Sequence, residues 1–131
     1  MDNQKSTNQK KVFITGITGQ DGSYLTDYLL ASTDCEIYGV IRRLSTPNHE
    51  NLKHVLGNKR FHLLQGDLAD FSSIEEIVRT IQPKYFINFA AQSFVAESWN
   101  TPEYTFNINA LGTLRCLEAI RKHAPRCRFY S

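Results

Sequence analysis

The sequence lacks any apolar run near the ~20 residues that a membrane-spanning helix needs, so no membrane partner is expected. It also lacks an excess of either charge: 15 Lys and Arg face 13 Asp and Glu, for a net charge of +2. So small an excess gives no electrostatic ground for binding nucleic acid. Cysteine is scarce. Cys35, Cys116 and Cys127 are odd in number and far apart, which builds neither a disulfide framework nor a paired-thiolate metal site. A reducing, cytoplasmic setting follows as the expectation. The four histidines, His49, His54, His62 and His123, are scattered too. They read as structural or surface residues, and no metal site is expected. The first ten residues, MDNQKSTNQK, have no apolar centre. They read as a flexible tail and not as a secretory signal.

What the sequence does contain is an alternation. Lys11–Thr15 and Glu36–Ile41 are short apolar runs that predict buried strands, and RFHLLQGD and residues 84–91 predict two more. Between them lie helical periods. Leu25, Tyr28 and Leu29 recur at helical spacing over 21–31, and Phe71, Ile74, Ile77, Val78 and Ile81 share one helical face. Ser72 with Glu75 has capping-box spacing, Asp70 is the competing cap, and Pro83 stops the helix. A short amphipathic segment lies between Pro47 and Gly57, and residues 92–100 read as a loop. Thr101-Pro102-Glu103 has the form of a helix start. The helix it opens is expected to reach about Lys122, with an apolar stripe of Phe106, Ala110, Leu114, Leu117 and Ile120. CRFYS begins a fifth strand. Strands alternating with helices predict one α/β domain over 11–131, a doubly wound parallel sheet covered by helices on both faces.

The first strand ends in TGITGQDG. Gly16, Gly19 and Gly22 are spaced three apart. One glycine permits the sharp turn, one lets backbone amides approach a pyrophosphate, and one lets the helix pack closely on the strand. The amides of the turn (Gly16, Ile17, Thr18, Gly19, Gln20, Asp21, Gly22) and the helix dipole favour phosphate charge. Asp21 also suits a helix start. A glycine triplet after a first strand and before a first helix points to a dinucleotide. At the end of the second strand, where an acid would hydrogen-bond the ribose 2′-hydroxyl of NAD, stand Arg42 and Arg43. Guanidinium groups make planar, charge-assisted bonds to phosphate. With Ser45 as a further donor, they read as a clasp for the 2′-phosphate of NADP.

The turn resembles the T-G-x-x-G-x-x-G of the extended short-chain dehydrogenase/reductase family. GDL (Gly66 to Leu68), NFAAQS (Asn88 to Ser93) and NALGT (Asn109 to Thr113) fall where that family has matching motifs. The resemblance covers nearly the whole chain after Lys10. Within the family, GITGQDGSYL, the paired arginines, AAQSFVAESW, PEYT and GTLRCLEAIR resemble the GDP-mannose 4,6-dehydratases. The resemblance implies a Rossmann-like fold and bound NADP. It implies cofactor contacts at Asp67 and Leu68, at Phe89, Ala90, Ala91, Gln92 and Ser93, and at Tyr104. Ser93 and the residues to Trp99 would border the nicotinamide and the sugar. One departure is Asn107 and Asn109, where those dehydratases often carry acids.

The family's catalytic serine or threonine lies just beyond the fifth strand, often with a glutamate nearby, and its Y-x-x-x-K pair follows later. No Y-x-x-x-K occurs in this sequence, and no catalytic residue is assigned. The chain is therefore expected to be the C-terminally incomplete cofactor half of a longer enzyme, inactive alone. The complete enzyme is expected to be a homo-oligomer acting on GDP-mannose by NADP-dependent 4,6-dehydration. Two alternatives stay open: a nucleotide-sugar epimerase or reductase of the same family, and a non-catalytic NADPH-binding module.

Overall fold

The apolar runs become central strands because helices cover both faces of the sheet they form. A computed structural model describes residues 9–42, 49–91 and 95–131. The strands are β1 (Lys11–Thr15), β2 (Glu36–Ile41), β3 (Phe61–Gln65), β4 (Tyr85–Asn88) and β5 (Arg128–Tyr130). They make one five-stranded sheet in the order β3-β2-β1-β4-β5, with every pairing parallel. The expected α/β doubly wound sheet is the fold observed. Alternation along each strand divides the core. Val12, Ile14 and Ile37 face helix α1 (Gln20–Ser32). Phe13 and Phe86 face helices α2 (Phe71–Ile81) and α5 (Gly112–His123), their rings 4.4 Å apart.

Of the expected face of helix α1, Leu25 and Leu29 pack against the core but Tyr28 does not. Gly22, Ser23 and Thr26 are buried, while Tyr24 and Tyr28 are 66% and 64% exposed. The helix starts so close to β1 that only small residues fit between them. Its C-terminal end is held by Arg60, whose guanidinium donates to the carbonyls of Leu30, Thr33 and Cys35. Helix α2 buries Ile74, Ile77, Val78 and Ile81 as expected. Its cap is Asp70, whose Oδ1 accepts from the Ser72 amide at 3.0 Å. Gln82 ends it in the left-handed region at φ 54°, and Pro83 follows.

Three expectations are corrected further along. Strand β4 stops at Asn88 instead of running to Ala91, because the chain turns at Phe89 to pass over Gly16. Residues Val95–Asn100, read as loop, form a short helix, α3. None of its residues is buried, so no apolar period marked it. The long helix is broken into α4 (Pro102–Phe106), a π-helical turn (Asn107–Leu111) and α5. Its expected stripe fails except at Ile120: Phe106 is 62% exposed, Leu114 53% and Leu117 44%, and Ala110 is exposed. The buried residues are Ile108, Gly112, Cys116, Ala119 and Ile120. Phe106, Ala110, Leu114 and Leu117 do share one helical face, but it is the exposed one, and the buried set is offset from it by two residues.

At the other end, Gln9 and Lys10, assigned to the polar tail, are tied to the sheet. Gln9 Nε2 donates to the Asp34 carbonyl at 2.7 Å, and the Lys10 carbonyl accepts from the Glu36 amide at 2.9 Å. No helix among the described residues is long and apolar enough to cross a membrane.

Candidate functional site

In a parallel sheet all strands end on one edge, and the loops after β1, β2, β3 and β4 meet there. Beside β1 the chain order reverses, since β2 lies on one side and β4 on the other. Such a switch point opens a crevice between diverging loops.

The glycine-rich turn fills this position. Gly16 has φ +69°, and a Cβ there would lie 2.7 Å from the Phe89 carbonyl carbon. A Cβ on Gly22 would lie 2.4 Å from the Gly16 oxygen. Both glycines are therefore demanded by the protein's own packing. Gly19 is not. Its backbone is extended (φ −75°, ψ 177°) and, among the described residues, a Cβ would meet only the Gly16 oxygen, at an ordinary 3.4 Å. The residue is exposed and stands as N-cap of α1, where the first amides of a helix have no intrahelical acceptor. The bare face at Gly19 is thus a cradle that a side chain would fill, beside backbone donors suited to an anion. The residues present fit a dinucleotide pyrophosphate.

The other residues of the turn divide by role. Ile17 is fully buried under Gly39, which leaves its side chain no route to a ligand. Thr18 is half-buried, while Gln20 and Asp21 are exposed in the first turn of α1. The Thr18 carbonyl accepts from Asn51 Nδ2 at 2.9 Å. Asn51, in the short 3₁₀ turn Glu50–Leu52, braces the glycine turn from outside, a role no motif had signalled.

Arg42 leaves the end of β2 exposed, and its Nη1 donates to the Tyr104 hydroxyl on α4. Two separately predicted residues are thereby brought together across the edge. Arg43, Ser45, Gln92 and Ser93 lie outside the described residues.

Asp67 and Leu68 follow β3. The Asp67 carboxylate accepts from the Ala69 amide at 2.9 Å, and the Asp67 amide donates to Ser73 Oγ at 3.1 Å. Leu68 is buried against Gly112. After β4, Phe89 and Ala90 are half-buried and Ala91 is exposed. This exit is fixed by a buried polar pair that the sequence reading passed over. The Thr15 hydroxyl donates to Asn88 Oδ1 and accepts from the Ala90 amide at 3.2 Å. Asn88 Nδ2 donates to Ser131 Oγ at 3.2 Å. The available signal was a polar residue ending each of two apolar strands. Trp99, on α3, is 82% exposed.

Elsewhere the ionisable groups serve the fold. Burial pushes the Cys116 thiol up to about 12 and that of Cys127 up to about 11, far from nucleophilic range. Burial, then the Glu36 carboxylate, pushes Tyr38 up to about 12. His54, His62 and His123 each meet a single carboxylate, of Asp27, Glu36 and Glu75, at 2.6, 2.7 and 2.8 Å. Each pair joins two segments distant in sequence. No group of three His, Cys, Asp or Glu residues able to hold a metal ion occurs among the described residues.

Comparison with known proteins bears on the family and the fold. Residues 13–131 match the model of the family described as GDP-mannose 4,6 dehydratase. A GDP-mannose 4,6-dehydratase of Vibrio cholerae is 46% identical over 118 residues, covering 86% of this chain and 32% of the relative. A GDP-mannose 4,6 dehydratase 2 of Caenorhabditis elegans is 42% identical, covering 96% of this chain and 35% of the relative. Among solved structures, a UDP-glucose 4-epimerase of Thermus thermophilus in complex with NAD superposes with a TM-score of 0.72 at 32% identity, covering 86% of this chain and 34% of that one. The chain thus spans about a third of the length of the curated relatives it matches. With nearly all of its sequence matched from Phe13 onward, the chain belongs to the GDP-mannose 4,6-dehydratase family.

Proposed function

We propose that this chain is the NADP-binding part of a cytoplasmic lyase that dehydrates GDP-mannose to GDP-4-keto-6-deoxymannose. The observation that carries the cofactor reading is Gly19, a glycine that no contact among the described residues requires, standing at the N-terminus of α1. A nicotinamide dinucleotide bound here supplies a reversible hydride acceptor. The turn from Gly16 to Gly22 holds its pyrophosphate through backbone amides. Asp67 and Leu68 wall the adenine, and the backbone from Phe89 to Ala91 passes under the cofactor.

The choice of NADP over NAD rests on the end of β2. It presents Arg42, with Arg43 and Ser45 next in sequence and no acid. The choice of GDP-mannose rests on relatives at 42–46% identity that carry that name. The exposed apolar residues Phe106, Leu114 and Leu117 support self-association in the complete enzyme. Titration of the chain with NADPH and NADH tests the cofactor. Charge-assisted bonds to phosphate predict a preference for NADPH of roughly tenfold or more, lost in the double variant Arg42→Ala, Arg43→Ala. Equal affinities in the unaltered chain would refute the NADP assignment.

A further inference from the structure

The helical run that follows Tyr104 reaches the loop after β3 through α5. Across the π turn, the Gly112 amide donates to the Asn107 carbonyl. That carbonyl accepts a second bond, from Arg115 Nη1 at 3.2 Å. The same Nη1 donates to the Leu68 carbonyl at 2.9 Å. Arg115 is half-buried, and no carboxylate pairs with it among the described residues. Leu68 is held from its other end as well. Its side chain occupies the space beside Gly112, where a Cβ would come within 3.1 Å of Leu68 Cδ2 and 3.2 Å of its Cβ. The internal shape of this loop is set by Asp67 on Ala69 and by Ser73. Its attachment to α5 is set by Arg115 and Gly112. π turns are rare and concentrate at functional sites, and here the turn supplies one of the two carbonyls that aim the guanidinium.

We propose that Arg115 is a positioning residue for the adenosine end of the dinucleotide: by bridging the π turn to the Leu68 carbonyl, it holds the Asp67–Leu68 loop where it meets the nucleotide. This deepens the cofactor reading and rests on it. A half-buried guanidinium spent on two carbonyls is costly to desolvate, and an apolar side chain could fill the same volume. What the apolar side chain cannot do is fix the height of the loop.

The test uses the whole 131-residue chain with two variants that disturb Leu68 from opposite sides. Arg115→Met keeps the length and removes the donors. Gly112→Ala pushes on the leucine side chain. Affinities for NADPH and for adenosine 2′,5′-bisphosphate are measured well below each variant's melting temperature. Both ligands are expected to weaken by the same factor, about tenfold, because the loss lies wholly in the adenosine half. Arg115→Lys, which keeps a charged donor, is expected to recover part of it. A purely structural role would lower the melting temperature and leave the bisphosphate within about twofold of the unaltered chain, and that result overturns the proposal. Should Arg115→Met fail to fold, Gly112→Ala decides by the same criterion. An unaltered chain that binds neither NADPH nor NADH removes the cofactor reading and this proposal with it.

Discussion

Gly19 and Gly22 look alike in sequence and differ in what surrounds them. A Cβ at Gly22 would strike the Gly16 carbonyl at 2.4 Å, while one at Gly19 has room. Gly22→Ala is therefore expected to lower the melting temperature markedly, since the colliding groups, the Gly16 carbonyl and the Ile17 Cα, are backbone. Gly19→Val should leave melting and circular dichroism near those of the unaltered chain and abolish NADPH binding. Undiminished binding by that variant would show that the turn is not a phosphate site. Tyr104 is a second residue whose meaning lies in its neighbour. Its hydroxyl accepts from Arg42, which fixes the direction of an otherwise exposed guanidinium. The donor is a charged guanidinium but the bond is exposed to water, so its net contribution is roughly 0.5–1.5 kcal/mol and Tyr104→Phe is expected to weaken NADPH by about 2- to 10-fold. NADH, with no 2′-phosphate, should be unaffected. Parallel titrations read the difference directly.

At the scale of elements, α2 is the most conventional piece. Asp70 caps it, its apolar face is continuous, and Gln82 and Pro83 end it. Asp70→Ala should cost about 1 kcal/mol of stability by loss of the cap, read as a shift of the urea midpoint with unchanged slope. The loss should not extend to NADPH binding, because the cap bonds only within its own helix start. The long helix behaves differently. A π turn joins α4 to α5. Tyr104 meets Arg42 at the end of β2, while Cys116, Ala119 and Ile120 pack into the core.

At the scale of the whole molecule, two cores on opposite faces of one sheet carry the stability, and their ionisable members set an alkaline limit. The Cys116 thiol rises from 9.0 to about 12 on folding. A raised acid is held neutral in the native state, so the unfolded chain loses its proton first. The stabilisation is complete below about pH 9 and is lost as pH climbs toward about 12. Between about pH 9 and about pH 10 the loss from this group is about 1 kcal/mol. Tyr38, raised from 10.0 to about 12, and Cys127, raised from 9.0 to about 11, add to it. Urea midpoints measured at about pH 8, 9 and 10 should fall in the unaltered chain and fall less steeply in Cys116→Ala. A flat profile would mean that the thiol is not sequestered.

The order of elements, the parallel sheet and the glycine turn were legible in the sequence because each leaves a local mark. Buried strands are short apolar runs, α2 shows its period, and a strand followed by spaced glycines and a helix is a local arrangement. Arg42 was legible by position, as a cation where a ribose-binding acid would stand. What stayed hidden depended on partners distant in the chain. Tyr28 is exposed because α1 meets β1 through Gly22, Ser23 and Thr26. Leu114 and Leu117 are exposed because α5 packs through Gly112, Cys116, Ala119 and Ile120 instead, and no residue type announces the π turn before them. Asn51, Thr15, Asn88 and Arg115 act through bonds to carbonyls, amides and side chains that only the folded chain brings near. The sequence by itself determined the strands, the helices α1 and α2 and where the glycine turn lies, since these follow from neighbours a few residues apart. The tertiary structure decided which faces are buried and which residues hold the loops of the site, since those follow from packing between segments that the sequence keeps apart.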